Sequence, residues 1–227
     1  MLTTTAYADK LTAQAQVRVD AYLNRVDTQN QLKAHDQHDS YVTAYNDVLR
    51  DPTRYRNLAL AQPPQTYMVG ETAWHGLSAC KTSDFTDWLA TVRPDLTPTL
   101  SLIRHSPLGQ VEPNFIHTDC DMGDWTAILY LTQKPDAQDG TDFWRHRWSG
   151  AIASCAETNT DAMTEGLAWR DASQWALRLH VAAAWNRAVI FPASYFHSRA
   201  IFENYGEGDD ARLTQIVFCK GALACLR

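Results

Sequence analysis

LIRHSPLGQVEPNFIHTDCDMGDWTAILYLT, residues 102–132, decides how the rest of the chain is read. It begins inside a short apolar strand, Thr99–Arg104, and passes through a loop punctuated by Pro107, Gly109 and Pro113, residues that mark turns. His117-Thr118-Asp119 follows. Trp125–Thr132 then offers strand-length apolar and β-branched sequence. On an extended backbone, residues two apart point to the same side, so His117 and Asp119 address one point in space.

Outward toward the C-terminus, Gln133–Gly140 carries Pro135 and Gly140 and reads as a turn, with Thr141–Trp148 as the returning strand. Residues 149–184 are Ala-rich and read as a helical insertion. Strands resume at Arg187–Phe191 and at Arg212–Cys219, with His197 between them. Outward toward the N-terminus the expected elements are helical. They are Thr4–Val26, Tyr41–Arg50 ended by Asp51-Pro52, Thr53–Gln62 ended by Pro63-Pro64, and Ser83–Val92 with Ser83 as N-cap. Asp27–Ser40 is polar and reads as a loop or a second short helix. The expectation is one α+β domain over residues 1–227. Residues 1–98 are mainly helical support, and residues 99–227 form a double-stranded β-helix, the jelly-roll or cupin-like barrel.

The bulk properties agree with a globular enzyme-sized chain. Of 227 residues, 45% are hydrophobic and 20% charged, as in water-soluble domains. Eight Trp fit an aromatic-lined β core. A formal net charge of −6 weighs against a nucleic-acid partner held by electrostatics. Five cysteines, an odd number without a C-x-x-C unit, read as free thiols rather than a disulfide framework. The first residues lack a basic segment followed by an apolar one, and no apolar run reaches membrane-spanning length. A cytoplasmic location is expected.

His117, Asp119 and His197 form a candidate metal set. Two imidazoles and a carboxylate on one face of an octahedral iron leave three positions for a chelating cosubstrate and dioxygen. Arg212 and Thr214 share a face of the last strand. A guanidinium with a neighbouring hydroxyl suits the far end of a dicarboxylate, and Arg199 and Arg187 are the other candidates for that role.

The chain resembles the 2-oxoglutarate/iron(II) oxygenase superfamily, and within it the prolyl-4-hydroxylase-like group. The stretches that carry the resemblance are LIRHSPLGQVEPNFIHTDCD, AILYL, GTDFW, NRAVIFPASYFHS and RLTQIVF, between Leu100 and Cys219. A weaker likeness extends to Asp51-Pro-Thr-Arg-Tyr-Arg-Asn-Leu-Ala. The resemblance implies Fe(II) as metal, 2-oxoglutarate as cosubstrate converted to succinate and CO2, and oxidation of an unactivated C–H bond in a small molecule or polypeptide side chain. Where the family often has a cosubstrate-binding Tyr after the first strand, this chain has His105. Tyr130 shares a face with Ile128 and Thr126 and either bonds 2-oxoglutarate or packs.

Other readings stand beside this one. A cupin-type metal dioxygenase would not need the Arg212 clamp. A nucleobase-modifying oxygenase or a non-catalytic barrel module would share the fold. Phe143–Trp148 alternates aromatic and basic residues as single-strand nucleic-acid binders do, but a hairpin with one packed face explains it equally. His35–Asp39 reads as a solvated segment, and Cys120 and Cys219 as small buried residues.

Overall fold

The computed structural model describes residues 41–69, 72–110, 116–153, 172–201 and 204–222. The expected helix Thr4–Val26, the segment Asp27–Ser40 and the His35–Asp39 cluster lie outside them. Among the described residues, ten strands form two antiparallel sheets, and there are two α-helices. The strands are β1 Thr43–Tyr45, β2 Gln65–Val69, β3 Thr72–Ala79, β4 Thr97–Ser106, β5 Trp125–Tyr130, β6 Gly140–His146, β7 Trp175–Ala182, β8 Arg187–Pro192, β9 His197–Arg199 and β10 Arg212–Lys220. The helices are α1, Pro52–Leu60, and α2, Asp84–Val92. The larger sheet runs β1-β8-β5-β10-β4-β3-β2 and the smaller β7-β6-β9. Two antiparallel sheets in this arrangement are consistent with a jelly-roll.

Alternation along the strands of the larger sheet sets its two faces. Ile103, Ala127, Leu129, Ala188, Ile190, Leu213 and Val217 form one core cluster with Tyr55 and Ala59 of α1 and Phe85 and Leu89 of α2. The helices therefore cover that face. The opposite face meets the smaller sheet. Phe143 of β6 packs edge-on against Phe191 of β8 at 5.0 Å between centroids, and Tyr130, Val189 and Tyr195 complete that cluster.

Helix α1 begins one residue before the expected Thr53, because Pro52 occupies its first turn and the Asp51 carboxylate accepts from the Arg54 amide at 2.9 Å. Ser83 precedes α2, but its hydroxyl does not cap the backbone; it donates to the Asp87 carboxylate at 2.7 Å.

Three expectations are corrected. Tyr41–Arg50 is not a helix. Thr43–Tyr45 pairs with β8, Thr43 opposite Ile190, and Leu49 exchanges two 2.9 Å bonds with the Asn186 side chain. Tertiary partners thus satisfy a backbone that a helix would otherwise have satisfied internally. Nor is the described region before Thr97 mainly helical, because β2 and β3 form an antiparallel pair in it. Within 149–184, the described residues after 171 form a 3₁₀ turn and then β7, not a helix. Pairing along β6, which gives its outer edge a partner, overrides the helix propensity of alanine.

The β6–β7 ladder slips between Phe143 and Trp144. Neighbours on a regular strand face opposite sides, yet both of these residues are buried. Phe143 joins the inter-sheet cluster, and Trp144 joins Ile116, Trp175, Leu177 and Phe196 on the other side. Trp148 lies beyond the strand and is 86% exposed.

Candidate metal and cosubstrate site

His117 and His197 are held side by side by the backbone. Each amide donates to the other's carbonyl, at 3.0 and 2.9 Å. The two imidazole centroids lie 4.4 Å apart. Asp119 is fixed by its amide, which donates to the Ala193 carbonyl at 2.8 Å just after β8. The side chains converge: one Asp119 oxygen is 3.7 Å from His117 Nε2 and the other is 3.3 Å from His197 Nε2. All three ligand atoms lie within 4.8 Å of one another.

Ligands ~2.1 Å from a metal at right angles stand about 3 Å apart, so the set fits three cis positions around one divalent ion. His197 Nδ1 lies 2.9 Å from the Tyr195 carbonyl. A carbonyl only accepts, so Nδ1 carries the proton and Nε2 presents its lone pair to the site. Thr126 donates to Asp119 at 2.8 Å and orients the carboxylate. Burial alone would raise the Asp119 carboxyl, but His197, then His117 and the Thr126 bond, hold it down to about 2. It is a carboxylate at neutral pH. Burial would lower His197, and Asp119 more than offsets this, so the imidazole is raised. Phe191 packs edge-on against the His197 ring at 4.7 Å, giving that imidazole an apolar backing.

The second half of the site lies across β10. Directly opposed residues of an antiparallel pair share a side. Thr214 is opposite both Tyr130 and Arg104, and Arg212 is opposite Ser106. These residues all face the smaller sheet. The Tyr130 hydroxyl lies 2.6 Å from Thr141 Oγ1 on β6, and burial pushes the phenol up. His105 is opposite Leu213, on the helix-side face, with Nε2 3.0 Å from the Gly208 carbonyl. The structure thus brings Arg212, Thr214 and Tyr130 together and leaves His105 apart. Arg187 donates to Asn46 at 2.7 Å and to the Ala182 carbonyl at 2.8 Å. Arg199 donates to the Ile201 carbonyl at 2.7 Å and to the Asn204 side chain.

Asp139 is the residue that sequence reasoning missed. Both its oxygens lie 3.0 Å from Arg212 Nε. It is 1% exposed and Arg212 6%. Burial would lower the guanidinium, and Asp139 raises it, so it stays charged. The Tyr205 hydroxyl also donates to Asp139, at 2.9 Å, and burial followed by that carboxylate pushes the phenol up to about 12. Asp139 stood in a stretch read only as a turn, without a signal for pairing. Thr126 was legible on the inward face, but its bond to Asp119 was not. Cys219 is fully buried, whereas Cys120 is only half-buried.

The family model matching residues 99–218 is described as a family of unknown function, DUF6445. No curated protein matches the sequence. Among solved structures, the non-heme alpha ketoglutarate dependent carbocyclase SnoK from nogalamycin biosynthesis superposes with a TM-score of 0.53 at 16% identity, covering 81% of this chain and 84% of that one. The non-heme alpha ketoglutarate dependent epimerase SnoN from the same biosynthesis superposes with a TM-score of 0.50 at 13% identity, covering 78% and 76%. At such identities the likeness establishes a shared fold, that of the 2-oxoglutarate/Fe(II) oxygenases.

Proposed function

The chain belongs to the DUF6445 family, and from that footing we propose that it is an Fe(II)- and 2-oxoglutarate-dependent dioxygenase that hydroxylates an unactivated C–H bond of a small molecule or polypeptide side chain. The convergence of His117, Asp119 and His197 carries this reading. When bound, iron would activate dioxygen, which is the oxidant; 2-oxoglutarate would supply two of the electrons and leave as succinate and CO2, one oxygen atom going to succinate and the other to the hydroxylated product. The residues do the rest. His117, Asp119 and His197 would hold the metal, leaving it positions for the cosubstrate and dioxygen. Arg212, with Thr214 and Tyr130 beside it on the same face of the sheet, takes the distal carboxylate. Free thiols at Cys80, Cys120 and Cys219 suit a cytoplasmic setting, and no helix among the described residues is long and apolar enough to cross a membrane.

One observation favours a second reading. Arg212 already holds a carboxylate, that of Asp139, so a metal dioxygenase that needs no 2-oxoglutarate also fits. One experiment separates the two. Anaerobic Fe(II) and 2-oxoglutarate should produce a visible charge-transfer band, and aerobic incubation should release succinate. Both should vanish in Asp119→Ala. Metal binding without either signal refutes the 2-oxoglutarate reading. The product screen should include ring closure and epimerisation, the reactions for which the two structural neighbours are named.

A further inference from the structure

Arg212 has two edges, and the fold uses only one of them. Asp139 approaches from the side and places both oxygens 3.0 Å from Nε. Among the described residues, neither Nη nitrogen of Arg212 is hydrogen-bonded. A guanidinium presents its donors in a rigid planar fork. Holding Nε therefore fixes where the Nη pair points. Asp139 is itself immobilised. Tyr205 donates to one oxygen at 2.9 Å and the Gly140 amide to the other at 2.7 Å. At Gly140 β6 runs close against β7, where a Cβ would meet the Val181 carbonyl oxygen at 2.2 Å.

A second, independent observation points to a ligand at the same place. Ser106 lies opposite Arg212 in the β4–β10 register and shares its face. It is fully buried, and its hydroxyl has no partner among the described residues. A buried hydroxyl without a partner is costly and rare. A carboxylate against the Nη edge is an acceptor of the kind that this hydroxyl lacks.

We propose that Asp139 is a positioning residue. It grips Arg212 through Nε and turns the Nη edge toward the distal carboxylate of the 2-oxo acid. This rests on the oxygenase reading above. It also makes a prediction with an unusual sign. Through space, the Asp139 charge repels a dicarboxylate, so its removal would tighten binding if charge were all that mattered. If orientation dominates, removal weakens binding.

The test compares two ligands by calorimetry on Mn(II)-loaded protein under anaerobic conditions. They are 2-oxoglutarate and 2-oxopentanoate, which chelates identically but ends in a methyl group. The wild type should prefer 2-oxoglutarate. Asp139→Ala should shrink that preference about tenfold to a hundredfold, with 2-oxopentanoate affinity unchanged. A merely structural role would weaken both ligands together and leave the ratio intact. Asp139→Glu keeps the ion pair if Asp139→Ala does not fold. Its extra methylene displaces the fork, and the preference should still fall severalfold. A preference that survives or grows in both variants overturns the positioning role. Failure of the wild type to bind either 2-oxo acid would instead overturn the oxygenase reading.

Discussion

Alternate residues of β10 belong to two different environments. Leu213 and Val217 point into the helix-covered core with Ala127, Leu129, Ala188 and Ile190. Arg212 and Thr214 point the other way, between the sheets, opposite Ser106 and Tyr130. One face is apolar and interchangeable by volume. The other holds a buried ion pair and a row of hydroxyls. A buried ion pair seldom stabilises a protein more than well-packed apolar side chains would. Its presence on the inner face accords with the positioning role proposed above.

This contrast can be broken from either side. The largest effect is expected from a pair of variants. His197→Ala should lose metal binding and all turnover, because it removes one of the three proposed ligands. Leu213→Ala should instead cost about 2–5 kcal/mol of stability through the cavity it leaves. Urea unfolding and metal titration on both variants check this. Equal loss of metal by the two would show that the faces are not separable.

Arg212→Ala comes next. Apparent 2-oxoglutarate affinity should fall about tenfold to a hundredfold, since a hydrogen-bonded charge loses its partner. Metal affinity should hold. The variant should also unfold at lower urea, because Asp139 is left buried and charged. Arg212→Lys should recover part of the binding, as an ammonium lacks the planar fork. Thr214→Val should show a smaller defect of the same kind. Michaelis constants for 2-oxoglutarate decide the matter, and a crippled Arg187→Ala beside a silent Arg212→Ala would relocate the clamp.

Thr126→Val sharpens the comparison at the metal end. Removing the hydroxyl that orients Asp119 should weaken metal binding about tenfold or more, with little change in 2-oxoglutarate preference. An unchanged metal isotherm would make that bond incidental.

The smallest effect concerns Cys219 on the helix side. Burial pushes its thiol from the ordinary 9.0 up to about 11. The folded protein therefore binds the proton more tightly than the unfolded chain does. The resulting stability is present below pH 9 and is lost as pH rises through about 11. Timed alkylation read by mass spectrometry should label Cys219 far more slowly than half-buried Cys80 and Cys120 at pH 8, and the gap should narrow toward pH 11. Rapid labelling at pH 8 would show that the core opens there.

How much of this was legible beforehand varies by element. The β4–loop–β5 stretch, β8 and β10 were readable because period-two alternation and turn residues are local signals. His117 and Asp119 were legible as a pair from their two-residue spacing, although they lie in the connection between β4 and β5 rather than on a strand, His117 forming only an isolated bridge to His197. Tyr41–Arg50 and the stretch that became β7 were misread. Their fate depended on Asn186, β8 and β6, far away in sequence.

By itself, then, the sequence determined which residues are candidates to hold a metal and a dicarboxylate, and where most of the strands around them run. Only the tertiary structure decided their company. It set His197 against His117 through a pair of backbone bonds. It put His105 on the face of β4 opposite to the one shared by Arg212 and Thr214, because its partner in the register is Leu213. It also delivered Asp139 to Arg212 from 73 residues away. The physical reason is that alternation is written into each strand, whereas register and sheet contact arise only when strands distant in sequence pair.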